Sequence, residues 1–361
     1  MPKADRVGAI ETDAVVIGAG PVGLFQVFQL GLLGITAHVV DALPVAGGQC
    51  IELYADKPIY DIPAIKVCTG RELVDRLLQQ IEPFAASFHL GQTLRSLAQR
   101  EDGRFDLETS SGQCFVSRTV FIAAGVGAFQ PRSLKVEGFE RHLGSQIYHH
   151  APDAALLAGQ QVLVLGDDDA AVNTALDLAT ADTAHRPASV TLLHRRSVLS
   201  AAPATLARFQ DLCAGGALRF EVGQILSLEE RDGTEPRLVA VQLTGEDGQA
   251  RRLAVDVMLV CLGLSPKLGP IAQWGLAMAR RQLLVDAAFF ETSTPGIHAV
   301  GDVVSYPGKK KLIVSGFHEA TLAAYAAAAR LRPDEPVLLQ YTTTSPKLHQ
   351  RLGLASTARD R

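Results

Sequence analysis

The stretch VLVLGDDDAAVNTAL, residues 162–176, sets three carboxylates where a phosphate is expected. A strand, a glycine and a helix opening on small residues form a cradle for a dinucleotide pyrophosphate, because free N–H groups and the partial positive charge of a helix N-terminus face the ligand. Gly166 supplies the tight turn, and Ala171 stands where strand and helix must pack closely. The position between them, usually a second glycine that lets the backbone approach the phosphates, is Asp168, flanked by Asp167 and Asp169. A carboxylate ~4–5 Å from a phosphate costs on the order of 3 kcal/mol at an effective dielectric near ~20, roughly a hundredfold in affinity. Asp167 reads as solvated, and Asp169 as the acid that caps or stabilises the helix start. Three outcomes stay open: a displaced pyrophosphate, a nucleotide held by cations elsewhere, or no nucleotide. Cations are at hand. The following strand, Val190 to Leu193, ends in His194, Arg195 and Arg196. Two guanidinium forks suit a 2′-phosphate, so this cradle reads as an NADPH site.

A second cradle lies upstream, in DAVVIGAGPVGLFQVFQLGLLGITAHVVDA. Ala14 to Ile17 is an apolar run of strand length, a helix is predicted from Pro21 to about Leu33, and a strand from Ala37 to Val40 ends at Asp41. Gly18 permits the turn, Gly20 lets the backbone approach the pyrophosphate, and Gly23 lets helix pack on strand. Asp41 is placed to accept hydrogen bonds from ribose hydroxyls. An acid there suits FAD or NAD and repels the 2′-phosphate of NADP.

The chain around these cradles is ordinary in composition. Its 361 residues suffice for two cored domains, and a fifth are charged. The net charge of −4 is too small to point to nucleic acid or an anionic membrane, and no apolar run approaches the ~20 residues that span a bilayer. The N-terminal stretch reads as no signal segment, which makes the cytoplasm the expected location. Residues 301–361 hold nine Lys and Arg against five Asp and Glu, a local +4 that suggests a docking patch for an acidic partner. Five scattered cysteines form no CxxC pair, and His149 and His150 lack ligand-spaced companions, so no metal is expected.

Further stretches carry a resemblance. AGGQCIELYADKPIYDIPA (46–64), VFIAAGVGAFQPR (120–132), TPGIHAVGDVVSYPGKKKLIVSGFHEA (294–320) and QYTTTSPKLHQRLGL (340–354) resemble the thioredoxin-reductase-like ferredoxin/flavodoxin–NADP reductases over nearly the whole chain. Thioredoxin reductase itself is disfavoured, because its dithiol would precede the second cradle, where this sequence reads IYHHAPDAALLAG. The resemblance implies that Gly48 and Gln49 contact the flavin and that Tyr54 stacks on its ring. It implies that Leu94 and Phe129 line the FAD site and that Gly301 and Asp302 meet the ribityl chain. Thr343 would close the site, with Tyr341 over the other flavin face. It also implies a homodimer. Lys309, Lys310 and Lys311 read either as a patch that steers an acidic ferredoxin or flavodoxin or as a solvated loop.

The predicted fold class is α/β, with two Rossmann-like three-layer nucleotide-binding domains. Residues 1–127 begin the FAD domain, 128–262 form the NAD(P)H domain, and 263–361 complete the FAD domain with a C-terminal extension. Thr69 with Glu72 predicts a capping box on a helix reaching about Pro83, and a second helix is predicted from about Ser315 to Arg330. The implied reaction moves hydride from NADPH to FAD and single electrons onward to the carrier, with a hinge rotation between domains. The competing expectation is a flavin-binding paralogue with a degraded nucleotide site, acting as a sensor or partner-binding subunit. A third is the same chemistry with NADH or another acceptor.

Overall fold

In this computed structural model, residues 8–354 are described except 232, 234, 235, 246 and 247. The chain opens with β1 (Ile10–Ile17), α1 (Pro21–Leu32) and β2 (Ala37–Val40). β1 and β2 run parallel with Ile17 opposite Val40, so both strand ends and the start of α1 meet at one edge of the sheet. There follow α2 (Gly70–Ile81), β3 (Ser87–His89), β4 (Leu94–Gln99), β5 (Phe105–Thr109) and β6 (Cys114–Ile122). α2 starts on the capping box: Glu72 N–H donates to Thr69 Oγ1 at 3.2 Å and Thr69 N–H to Glu72 Oε2 at 2.8 Å.

The middle of the chain holds β7 (Ile147–Tyr148), β8 (Gln161–Leu165), α3 (Asp169–Ala179), β9 (Ser189–His194), α4 (Pro203–Ala214) and β10 (Arg219–Val222). A meander of β11 (Gln224–Arg231), β12 (Arg237–Thr244) and β13 (Ala250–Ala254) precedes β14 (Val257–Val260). The chain then returns through β15 (Ile297–Ala299), α5 (Ile313–Leu331) and α6 (Pro346–Arg351). It divides into two compact units. Unit 1 runs to Ala128 and resumes at Pro266, and unit 2 is Phe129–Ser265.

In unit 1 the strands lie in the order β3-β2-β1-β6-β5-β4, with β15 parallel to the end of β6. Strand side chains alternate between faces. Ala14 and Val16 join α1, α2 and α5 in one core. Val15 and Ile17 join Leu107, Phe115, Ile271 and Leu283 in the other. Ala320, Ala323, Ala324 and Ala327 of α5 are fully buried. Residues this small let α5 approach α1 closely.

Unit 2 repeats the plan. β7-β14-β8-β9-β10 is a parallel sheet. Val162 and Val164 pack under α3 and α4, while Leu163 and Leu165 pack on the β11–β13 meander. Each unit is therefore a sheet covered on both faces with its helices on one of them, a Rossmann-like three-layer arrangement of the kind the two β-α-β patterns predict. No helix among the described residues is long and apolar enough to cross a membrane.

Candidate functional site

The first cradle is built by backbone with no room to spare on its inner side. A Cβ at Gly18 would stand 2.4 Å from the Ala123 carbonyl oxygen, and one at Gly23 would stand 1.9 Å from the Gly18 oxygen. Gly20 differs. The nearest atom to a Cβ there is Gly48 Cα, at 3.9 Å. The fold therefore leaves open space beyond Gly20, which is what a backbone approaching a pyrophosphate needs. Gly20 is also the N-cap of α1, with no side-chain cap, Pro21 in the first turn and no acid there. The opening N–H groups of α1 are left for a ligand.

A second loop lies against this one. Gly47 N–H donates to Ala19 O at 2.8 Å, and a Cβ at Gly48 would come within 3.0 Å of Gly20 Cα. Gln49 follows, its side-chain nitrogen beside Gly125. Cys50 Sγ donates to the Tyr54 hydroxyl at 3.6 Å. Burial, then the Cys50 hydrogen bond and the nearby Asp302 and Asp61 carboxylates, push the Tyr54 phenol up, so it stays neutral. Tyr54 and Asp302 are thus brought within electrostatic reach of each other.

Two acids hold these loops from behind. Asp41 Oδ2 accepts Ala19 N–H at 2.6 Å and Oδ1 accepts Leu43 N–H at 2.8 Å. Burial raises its pKa against the pull of those two bonds. Each oxygen keeps a second lone pair, so Asp41 can still accept from a ribose. The other acid is Glu319 of α5, fully buried. Its Oε2 accepts Gly301 N–H at 2.6 Å, and its Oε1 accepts the Tyr306 hydroxyl at 2.9 Å and pairs with the Lys309 ammonium. Burial and this bond push Tyr306 up to about 12. The network fixes the Gly301–Asp302 turn against Val22 of α1. Sequence reasoning missed Glu319 and Tyr306. A signal was present, since Glu319 is a lone acid followed at i+1, i+4 and i+5 by alanines of the buried stripe. Lys309 is a correction: its side chain is 7% exposed and ion-paired, so only Lys310 and Lys311 of the three are exposed for steering.

The remaining expected residues are placed as follows. Leu94 is packed in the core with Ile17 and Val40. The Phe129 side chain lies outside the described residues. Tyr341 and Thr343 are exposed in the segment leading into α6. That helix docks on the C-terminal end of α1, where Arg351 donates to Leu32 O and Arg332 donates to Leu33 O at 2.7 Å. α1 is about 18 Å long, so α6 is anchored at the end of α1 opposite Gly20. The Thr342 carbonyl accepts from His349 Nε2 at 2.6 Å, which keeps this segment beside α6.

The second cradle has the same inner wall and a different mouth. A Cβ at Gly166 would stand 2.3 Å from the Cys261 oxygen and 2.5 Å from Ala171 Cβ, and Ala171 is fully buried. The N-cap of α3 is Asp168, whose Oδ1 accepts Ala171 N–H at 3.0 Å. Asp169 is the first-turn acid of α3 rather than its cap. It accepts Ala202 N–H at 2.9 Å. Asp167 is not simply solvated either. Its Oδ2 accepts the Ser200 hydroxyl at 3.0 Å and its backbone oxygen accepts Ser200 N–H at 2.6 Å. Arg195 and Arg196 are exposed and have no ion-pair partner among the described residues. His194 is 9% exposed, its Nε2 unbonded and 3.9 Å from Asp167. Burial lowers its pKa against the opposing pull of Asp167.

Comparison with known proteins places this geometry. Residues 12–329 match the family described as pyridine nucleotide-disulphide oxidoreductase. The ferredoxin–NADP reductase 2 of Cupriavidus metallidurans is 54% identical across 97% of this chain and 94% of its own length. The ferredoxin–NADP reductase of Methylibium petroleiphilum is 54% identical across 98% and 95%. Among solved structures, thioredoxin reductase from T. acidophilum covers 89% of this chain and 99% of its own, with TM-score 0.53 and 21% identity, a likeness of fold.

Proposed function

We propose a function from one premise: this chain belongs to the pyridine nucleotide-disulphide oxidoreductase family. It is an FAD-dependent ferredoxin–NADP(+) reductase, moving electrons between NADPH and a one-electron carrier. The observation that carries this reading is the open N-terminus of α1 at Gly20, in a chain 54% identical to proteins of that name. FAD, when bound, supplies the chemistry that joins a hydride donor to a one-electron acceptor, and the protein binds and orients it.

The chain's own residues divide that work. Gly18, Gly20, Pro21 and Gly23 present the first-turn N–H groups of α1 to the pyrophosphate, and Asp41 accepts from the ribose. Gly48, Gln49 and Tyr54 flank the ring, with Leu94 lining the site. The turn at Gly301, held by Glu319, aims Asp302 at the ribityl hydroxyls. In unit 2, Gly166 and Ala171 shape the NADPH cradle while His194, Arg195 and Arg196 face the 2′-phosphate. No side chain needs to act as a general acid or base. The carrier is an acidic ferredoxin or flavodoxin, drawn by Lys310 and Lys311, and the location is the cytoplasm. The protein works as a homodimer. Because α6 is anchored at the far end of α1, the flavin that Thr343 and Tyr341 close belongs to the partner copy.

Anaerobic addition of NADPH to the purified yellow protein tests this. The flavin absorbance is expected to bleach, and a spectrum unchanged at high NADPH overturns the reading. That second result would favour the flavin-binding paralogue, for which the Asp168 cap is the supporting observation.

A further inference from the structure

We propose that Asp168 is a built-in competitor for the pyrophosphate of the pyridine nucleotide and sets the affinity of the second cradle, whereas Asp167 and Asp169 are staples that do not face it. The proposal rests on the reading that unit 2 takes NADPH. Three adjacent carboxylates would repel a phosphate alike if charge alone mattered. Their contacts separate them. Asp168 has an extended backbone, with φ −90° and ψ 176°, that turns its side chain back over the first turn of α3, onto the N–H of Ala171. This is one of the first-turn donors that a helix N-terminus offers to a phosphate oxygen.

Asp167 and Asp169 turn to another segment. Asp167 binds Ser200 through both its side chain and its backbone, and Asp169 binds Ala202 N–H. These bonds tie residues 200–202 to the loop and leave neither carboxylate on the helix donors. The arginines complete the argument. Leu193, just before His194, Arg195 and Arg196, is in register with Leu165, just before Gly166. The strand that leads to the cations therefore lies beside the strand that enters the cradle, about 4.8 Å away. A ligand anchored by its 2′-phosphate on Arg195 and Arg196 carries its pyrophosphate to Asp168, which must swing off Ala171 N–H to admit it.

Equilibrium binding of NADP+ and of adenosine 2′-monophosphate to the FAD-loaded protein tests this without turnover. Asp168→Gly is expected to tighten NADP+ roughly a hundredfold. Asp168→Asn keeps a capping side chain and guards against a folding failure, and it is expected to tighten NADP+ about tenfold. Adenosine 2′-monophosphate, which lacks a pyrophosphate, is expected to bind all of these proteins equally. Asp167→Asn and Asp169→Asn are expected to leave NADP+ affinity unchanged and to lower Tm. Unchanged NADP+ affinity in both Asp168 variants overturns the proposal, as does equal tightening in all three Asn variants. Failure of NADP+ and adenosine 2′-monophosphate to bind any of these proteins overturns the NADPH reading itself.

Discussion

Both units end a strand at a glycine turn and start a helix there, but they put their acids on opposite sides of that helix. The inner walls match closely. A Cβ would stand 2.4 Å from a carbonyl oxygen at Gly18 and 2.3 Å at Gly166. In unit 1 the acids stand behind the loops. Asp41 takes the N–H of Ala19, and Glu319 takes the N–H of Gly301, so α1 begins uncapped. In unit 2 the acid stands in front, and Asp168 spends its carboxylate on α3 itself. A carboxylate near a phosphate site is harmful or helpful according to which donors it satisfies. The number of acids in the loop does not decide it.

The contrast is broken most directly by Lys309→Met. If unit 1 depends on a buried acid behind its loop, leaving Glu319 without its cation should cost about 3–5 kcal/mol in urea unfolding. Asp167→Asn in unit 2, at a half-buried acid held only by neutral donors, should cost less than about 1 kcal/mol. Equal losses would remove the distinction.

Acid sensitivity sharpens the same division. His298 of β15 is buried and stacked on Phe121, its Nδ1–H donates to Phe289 O at 3.1 Å, and its Nε2 has no partner among the described residues. Burial lowers its pKa to about 4. Between pH 4 and about 6.5 the unfolded chain therefore binds the extra proton. Stability is full above about 6.5 and falls as pH drops toward 4, by about 3 kcal/mol in all. His298→Phe should flatten that slope for unit 1, and an unchanged slope would assign the acid lability elsewhere.

Gly20→Asp carries the mouth of the second cradle into the first. FAD affinity should fall roughly a hundredfold in titrations of the apoprotein. Retained affinity would mean that α1 never met the phosphates. The smallest effect is expected at the cations. Arg195→Ala should weaken NADPH about tenfold and leave NADH unchanged, read from the two binding isotherms. A parallel loss of NADH would assign Arg195 to the shared part of the two nucleotides.

Much of this was legible early. The alternation of Ala14, Val15, Val16 and Ile17 predicts a strand buried on both faces, and Thr69 with Glu72 predicts the start of α2. The helix expected near Ser315–Arg330 is α5, two residues longer at its start and one at its end. What was not legible shares a cause. Propensity cannot tell which of three adjacent aspartates caps α3; Asp168 does, and Asp169 is the first-turn acid. Lys309 looked like surface charge because its partner is ten residues on.

By itself the sequence determined two glycine turns between a strand and a helix, one followed by a strand that ends in an acid and the other by a strand that ends in arginines. Glycine spacing and strand period act over a few residues, and no distant contact is needed to enforce them. Only the tertiary structure decided which carboxylate faces the ligand. The donors that draw Asp167 and Asp169 aside come from residues 200–202, and the amide, hydroxyl and ammonium that engage Glu319 come from residues 301–309. Such partners meet only once the chain has folded.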